Sequence, residues 1–309
     1  MPATAVFFST NFCRLLQLSL AIGGVLSGSA QGQPIDSPVV PAKPAQLDFL
    51  PVGFDSLDTA GVFSPKRIPI NGYLLVAEGA GPSPAAVLNP ACEGLLAPEG
   101  KFVKMKYQRL AGLLHRQGYT VLLVDGFNSR GSTENCSKHK ISDLSRHRDA
   151  LGGLQFLQAR SDVDPGKVIL VGWGATGGLT AMGSPRGGKG TQDFAAGVFY
   201  YPECKQVAKP LRSSVPLLVM VGGQDTWNPA RCCEDLAQSR AAESATFELK
   251  IYPTAHHSFD QPFGEPRMNA FHPSLGMVGR DDAAAKDSYL VISAFLAQTF
   301  APTLKPTSP

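Results

Sequence analysis

V-I-L-V-G-W-G-A-T-G-G, residues 168–178, is the stretch on which the fold turns. Val168, Ile169, Leu170 and Val171 form a continuous apolar run, entered through the turn residues Asp164, Pro165 and Gly166 and left through a cluster of glycines. That pattern describes a strand buried on both faces and a sharp turn directly after it. Leu179 can begin a helix, but Gly183, Ser184 and Pro185 stop it within one or two turns. A strand that passes through a tight turn into a helix is a place where a strained backbone displays a nucleophile. This turn holds neither serine nor cysteine, and its one hydroxyl belongs to Thr176.

On the amino side of this stretch, residues 70–77, 85–88 and 120–124 read as strands and residues 104–117 and 142–159 as helices. Tyr107, Leu110, Leu113 and Leu114 share one helical face, and Leu144, Leu151, Leu154 and Leu157 share another. Residues 128–140 form a polar loop. On the carboxyl side, residues 195–201, 215–221 and 246–252 are strands, and residues 283–300 are a closing helix that buries Tyr289, Ile292, Phe295 and Leu296. Apolar strands alternating with helices predict an α/β fold, a mostly parallel sheet with helices on both faces. Residues 50–300 have the size of a single domain.

Open sheets of this kind bind ligands beyond the carboxyl ends of their strands. Two loops there carry chemistry. The first, G-G-Q-D-T-W-N-P, places Asp225 just past a strand end, where a carboxylate can hold an imidazole in one tautomer. The second, P-T-A-H-H-S-F-D, offers His257 as a general base, with His256 as its neighbour and competitor. Glycine turn, then acid, then base is the chain order of an α/β-hydrolase triad.

Five segments make the resemblance specific. They are Gly81-Pro82 with the strand to Leu88 and Cys92; Gly118-Tyr119 through Asp125, Arg130-Gly131 and Cys136; Val163-Asp164-Pro165 to Gly172-Trp173; Tyr201-Pro202-Glu203-Cys204; and Asp225-Thr226-Trp227-Asn228-Pro229 with Tyr252-Pro253 and His257-Ser258-Phe259-Asp260. In this order they resemble the dienelactone hydrolase family, and most closely its exported bacterial branch. The resemblance implies an α/β-hydrolase domain that cleaves small carboxylic esters or lactones without a cofactor or metal. It also implies a Ser or Cys nucleophile on the elbow with Asp225 and His257 completing the triad.

The chain departs from that pattern in three places. The nucleophile position is Gly174 counted from Gly172-Trp173, or Ala175 counted back from Gly177-Gly178, and the turn is one residue longer than the family's. Thr176 is the atypical nucleophile that remains, since a hydroxyl beside a base can attack, although its methyl group crowds the turn. Cys92 is a weaker, displaced alternative. In the first loop, Pro90-Ala91 replaces the family's His-Gly, so one backbone N–H is lost, and Glu93 brings a negative charge where an oxyanion would form. The helix after the elbow is cut short. A rival reading takes Gly172, Gly174 and Gly177 as the G-x-G-x-x-G of a dinucleotide site. That motif needs a full helix next and an acidic residue about 20 residues on at the end of the following strand. Here Asp193 precedes that strand and Glu203 lies beyond it. Two functions therefore stand: a hydrolase for small esters or lactones, and a catalytically silent relative that binds a small ligand or a protein in the same cleft. The presence of both Asp225 and His257 favours the first.

The rest of the chain sets bounds. It has 309 residues, 43% hydrophobic and 17% charged, with a net charge of +3 and no basic cluster, which argues against nucleic acid. Lys138, His139, Lys140, Arg146, His147 and Arg148 read as a solvated loop and helix face. Neither His139 with His147 nor Cys232 with Cys233 has a zinc spacing. Residues 1–30 read as a signal peptide: Arg14, an apolar run from Leu15 to Leu26, and small residues before a cut after Ala30. Residues 31–49 read as a flexible linker and 301–309 as a disordered tail. The mature chain then carries no membrane span and is secreted or periplasmic. Export makes disulfides available. The placement of the loops suggests Cys92–Cys136, and Cys204 with Cys232 or Cys233, with at least one cysteine of the odd five left over; five buried thiols are the alternative.

Overall fold

The computed structural model describes residues 47–61, 64–137, 140–174, 177–183, 193–262, 264–270 and 272–301. The signal-peptide reading, most of the linker, nearly all of the tail and Thr176 lie outside the described residues.

The chain opens with a long hairpin, β1 (Leu50–Gly61) and β2 (Ser64–Leu75). Then follow β3 (Ser83–Asn89), α1 (Met105–Arg116), β4 (Thr120–Asp125), α2 (Asp143–Gln158), β5 (Val163–Trp173), α3 (Gly178–Met182) and β6 (Ala196–Tyr200). The last part comprises β7 (Leu217–Gly222), α4 (Ala230–Gln238), β8 (Phe247–Tyr252), a short pair β9 (Arg267–Met268) and β10 (Met277–Val278), and α5 (Asp282–Thr299). Eight strands form one sheet in the order β1-β2-β4-β3-β5-β6-β7-β8. The β1–β2 and β2–β4 pairs are antiparallel, and every pair from β4 to β8 is parallel. This is the α/β-hydrolase fold expected from the sequence.

Why the strands are apolar throughout follows from their two covered faces. Successive side chains of a strand point to opposite sides. Leu88, Val121, Leu123, Ile169, Val171, Val198 and Met220 meet α1 and α5 through Tyr107, Leu110, Ile292 and Phe295. Their neighbours Val87, Leu122, Val124, Val168, Leu170, Phe199 and Val219 meet Leu154, Leu157, Leu179 and Leu236 of α2, α3 and α4.

Several expectations are corrected. Leu144 is 54% exposed; it lies in the first turn of α2, outside the buried stripe of Leu154 and Leu157. Arg146 and His147 are buried rather than solvated. Arg146 reaches under the first loop, where its Nη2 donates to Pro90 O at 2.6 Å, and its guanidinium covers the Phe127 ring. Burial and the charge of Arg148 push His147 down to about 4, so its ring is neutral at neutral pH. Strand β1, helix α4 and the β9–β10 pair were not expected. The two disulfides are Cys92–Cys136 and Cys204–Cys233, and Cys232 is the free thiol among the described residues.

Helix α2 crosses the hairpin at Gly152, where an added Cβ would lie 2.2 Å from Asp55 O. We predict that Gly152→Ala lowers the unfolding free energy by about 1–3 kcal/mol, because overpacking outweighs the helix preference of alanine. Urea denaturation checks this; an unchanged or raised midpoint contradicts it.

Candidate active site

Strands β5, β6, β7 and β8 end side by side, and the loops that follow them assemble the site. After β7, Asp225 closes a turn with its N–H on Gly222 O at 3.2 Å. Its Oδ1 accepts the backbone N–H groups of Trp227 and Asn228 at 2.9 and 2.8 Å. Its Oδ2 lies 2.8 Å from His257 Nδ1. The carboxylate has no exposed surface and the imidazole only 7%. A carboxylate oxygen accepts, so Nδ1 carries the hydrogen of this bond and Nε2 of the neutral ring is left as the basic nitrogen. No described residue hydrogen-bonds Nε2.

The ring of His257 is packed against two aromatic rings. Trp227 stacks on it at 4.6 Å, and Tyr201 packs against it in a tilted arrangement at 4.5 Å between centroids. Gly279 N donates to His257 O, and Val278 of β10 forms a bridge with His257, which ties the β9–β10 excursion to the base. His256 turns elsewhere, with its Nδ1 on Gln224 O. Of the two adjacent histidines, the structure pairs His257 with Asp225.

Tyr201 is the hinge between this pair and the interior. It has a φ of +38°, uncommon for a residue with a Cβ. Its backbone is fixed by its own N–H on Met220 O at 2.7 Å and by Asn228 Nδ2 on its carbonyl at 2.8 Å. Its hydroxyl donates to Asp260 Oδ1 at 2.8 Å, and Trp173 Nε1 donates to the other oxygen, Oδ2, at 2.7 Å. Burial and the Asp260 charge raise the Tyr201 phenol far above its usual range, so it remains a donor.

The first loop is quieter electrostatically than its sequence implied. Glu93 forms a short ion pair with the fully buried Lys106 and accepts from Tyr107 Oη at 3.2 Å. Burial opposes its charge, but Lys106 and Lys104 beside it hold the Glu93 carboxyl down at about 2. The negative charge at this loop is therefore neutralised by ammonium groups. The Ala91 N–H is already given to Tyr107 Oη at 2.9 Å. Cys92 is in a disulfide, which removes it as a displaced nucleophile. The same bond explains why the cluster of Cys92, Glu93 and Cys136, within 4.8 Å of one another, is not a metal site in this state.

At the elbow, Gly174 takes φ +61° and gives its N–H to Tyr200 O at 2.9 Å. Gly177, at φ +70°, lies so close to Asp143 that an added Cβ would meet its carbonyl oxygen at 2.2 Å. Helix α3 has five residues. A cavity of about 320 Å³ lies elsewhere, between α2, α3 and the residues before β7, lined by His147, Met182, Phe194 and Arg212.

Residues 70–300 match the profile of the Dienelactone hydrolase family. The chain belongs to the dienelactone hydrolase family. No curated protein matches it. Among solved structures it is similar to a dienelactone hydrolase-like promiscuous phosphotriesterase from metagenomic libraries, at 18% identity and a TM-score of 0.56 over 81% of this chain and 98% of that one. It is also similar to Thermogutta terrifontis esterase 2 phosphoramylated by tabun, at 14% identity and a TM-score of 0.55 over 84% of this chain and 98% of that one. At these identities the likeness speaks to the fold.

Sequence reasoning gave no role to Lys106, Tyr201, Trp227 or Asp260. Tyr201, Trp227 and Asp260 stood inside resembling segments, whereas Lys106 carried no signal, because a lysine on a helix face looks solvated until its partner is located.

The Glu93 ion pair has a consequence for stability. An unfolded glutamate titrates at about 4.3, above the folded value of about 2. The stabilisation from its charge is therefore complete above about pH 4.3 and lost as the pH falls toward 2. Glu93→Gln strands the Lys106 charge, and we predict a loss of about 3–5 kcal/mol at pH 7 that narrows steadily below pH 4. Denaturation of both proteins across this range checks it; a difference independent of pH contradicts it.

Proposed function

We propose that this chain is an exported hydrolase of small carboxylic esters or lactones, in which Asp225 and His257 form the acid–base pair. The observation that carries the reading is the buried 2.8 Å contact from His257 Nδ1 to Asp225, with the ring packed against Trp227 and Tyr201. In this reading Nε2 takes the proton of an attacking oxygen. The charged ring is stabilised by Asp225, and the proton is then delivered to the departing alkoxide. Thr176 is the side-chain hydroxyl of the turn and the candidate for that oxygen. No metal or cofactor enters the reaction. Two disulfides fit the oxidising compartment that cleavage after Ala30 would deliver the chain to.

One observation favours the second reading, a silent relative that binds a small ligand or a protein in this cleft. Gly174 has the left-handed backbone of an elbow apex and no side chain, and the Ala91 N–H is already engaged.

Hydrolysis of activated short-chain aryl esters and a small lactone by the mature chain separates the two. The hydrolase reading predicts turnover above buffer, abolished in His257→Ala and lowered by a factor of about 10⁴ in Asp225→Asn, where the tautomer is no longer enforced. Turnover absent from the wild-type protein, or equal in all three proteins, refutes it.

A further inference from the structure

The geometry points to water, in place of Thr176, as the attacking oxygen, held over Gly174 and deprotonated by His257; this inference rests on the Asp225–His257 pair of the hydrolase reading above. It begins with the backbone. Trp173, the last residue of β5, is immobilised by a stacked Tyr200 at 5.3 Å, an edge-on Tyr107 at 5.0 Å and the bond to Asp260. Gly174 follows at once, its N–H fixed to Tyr200 O and its φ at +61°. A positive φ directly after the strand, which a glycine adopts without strain, is the conformation that makes the first turn residue the apex of an elbow. Counted along the chain, Gly174 is also the position that follows Gly172-Trp173 in the family pattern. Strand geometry and sequence thus select the same residue, and it carries hydrogen where the family carries its nucleophile.

The surroundings fit a water. Apart from Gly174 itself and its chain neighbours, no atom of the described residues lies within 4 Å of the point where a Cβ of residue 174 would stand. Gly174 lies at the end of β5, hydrogen-bonded to the end of β6. The next residue of β6's exit, Tyr201, has its ring 4.5 Å from that of His257. The base and the apex therefore flank the same strand end, and Nε2 has no described partner to compete for it.

The step balances without a covalent intermediate. The water oxygen forms a bond to the acyl carbon while its proton passes to His257 Nε2. The C–O bond to the leaving alcohol, or the ring C–O bond of a lactone, then breaks, and the alkoxide takes the proton back from Nε2. The products are a carboxylic acid and an alcohol, and the enzyme is unchanged. A two-step path through an acyl-enzyme leaves two signatures that this one lacks: a stoichiometric burst of alcohol and a covalent adduct with a fluorophosphonate.

The experiment treats the wild-type mature chain and Gly174→Ser with an aryl ester under rapid mixing, and separately with a fluorophosphonate followed by intact-mass and peptide mass spectrometry. We expect wild-type turnover with neither burst nor adduct, and in Gly174→Ser an adduct on the peptide containing position 174. A burst or an adduct in the wild-type protein overturns this inference alone and returns the attack to a side chain. If Gly174→Ser does not fold, the wild-type arm still decides. Absence of wild-type turnover overturns the inference together with the hydrolase reading, and a Gly174→Ser adduct in that case shows that the remaining machinery is intact.

Discussion

The Asp225 carboxylate is the constraint on which the site depends. It has no exposed surface, and burying a charge that way is tolerated only when donors surround it. Trp227 N–H, Asn228 N–H and His257 Nδ1–H supply them. The first two shape the loop after β7 into a cup. The third draws in the loop after β8, and with it the β9–β10 excursion through His257 O and Val278. Asn228 passes the restraint on to Tyr201, whose hydroxyl ends on Asp260, the same carboxylate that holds Trp173 below the elbow. Four strand ends are thereby connected through two buried acids.

A second buried ion pair supports the other side. Lys106 and Glu93 join α1 to the loop after β3, and Tyr107 links both to the Ala91 N–H and the Trp173 ring. Glu93, at a position where negative charge would oppose an oxyanion, is here a structural counter-ion. Such pairs cost desolvation and are worth little net stability against an apolar replacement, but each half strands the other if removed. The disulfides act on the same loops: Cys92–Cys136 ties the loop after β3 to the one after β4, and Cys204–Cys233 ties the exit of β6 to α4, which follows the Asp225 loop. The candidate site is consequently cross-linked by disulfides and buried ion pairs, although it is built from loops.

How much of this the sequence announced depends on the physics of each part. The parallel strands were legible because both faces are covered, so Val168 to Val171 and Leu217 to Val221 have no room for polar residues. Asp225 and His257 were legible because loop position, order and spacing all agreed. Strand β1, L-P-V-G-F-D-S-L-D-T-A-G, was not: it lies at the sheet edge, with polar residues and a glycine diluting any alternation. Helix α4 buries only Cys233 and Leu236, too few for a stripe. Arg146 and His147 misled because charge ordinarily signals solvent, and Lys106 gave no signal for the same reason; the partners of Arg146 and Lys106, Pro90 O and Glu93, lie on a loop outside their own helices. The pairing of Cys204 with Cys233 rather than Cys232 turns on one step around a helix, which spacing cannot resolve.

The most direct test of this account is the protonation of the His257 ring, read from a long-range proton–nitrogen correlation spectrum of the nitrogen-15-labelled protein. At a pH where the ring is neutral, the account predicts hydrogen on Nδ1, in a strong bond that shifts its proton resonance downfield and disappears in Asp225→Asn. A ring carrying its hydrogen on Nε2, or a spectrum that Asp225→Asn leaves unaltered, would contradict it, because no basic nitrogen would then face the attacking oxygen.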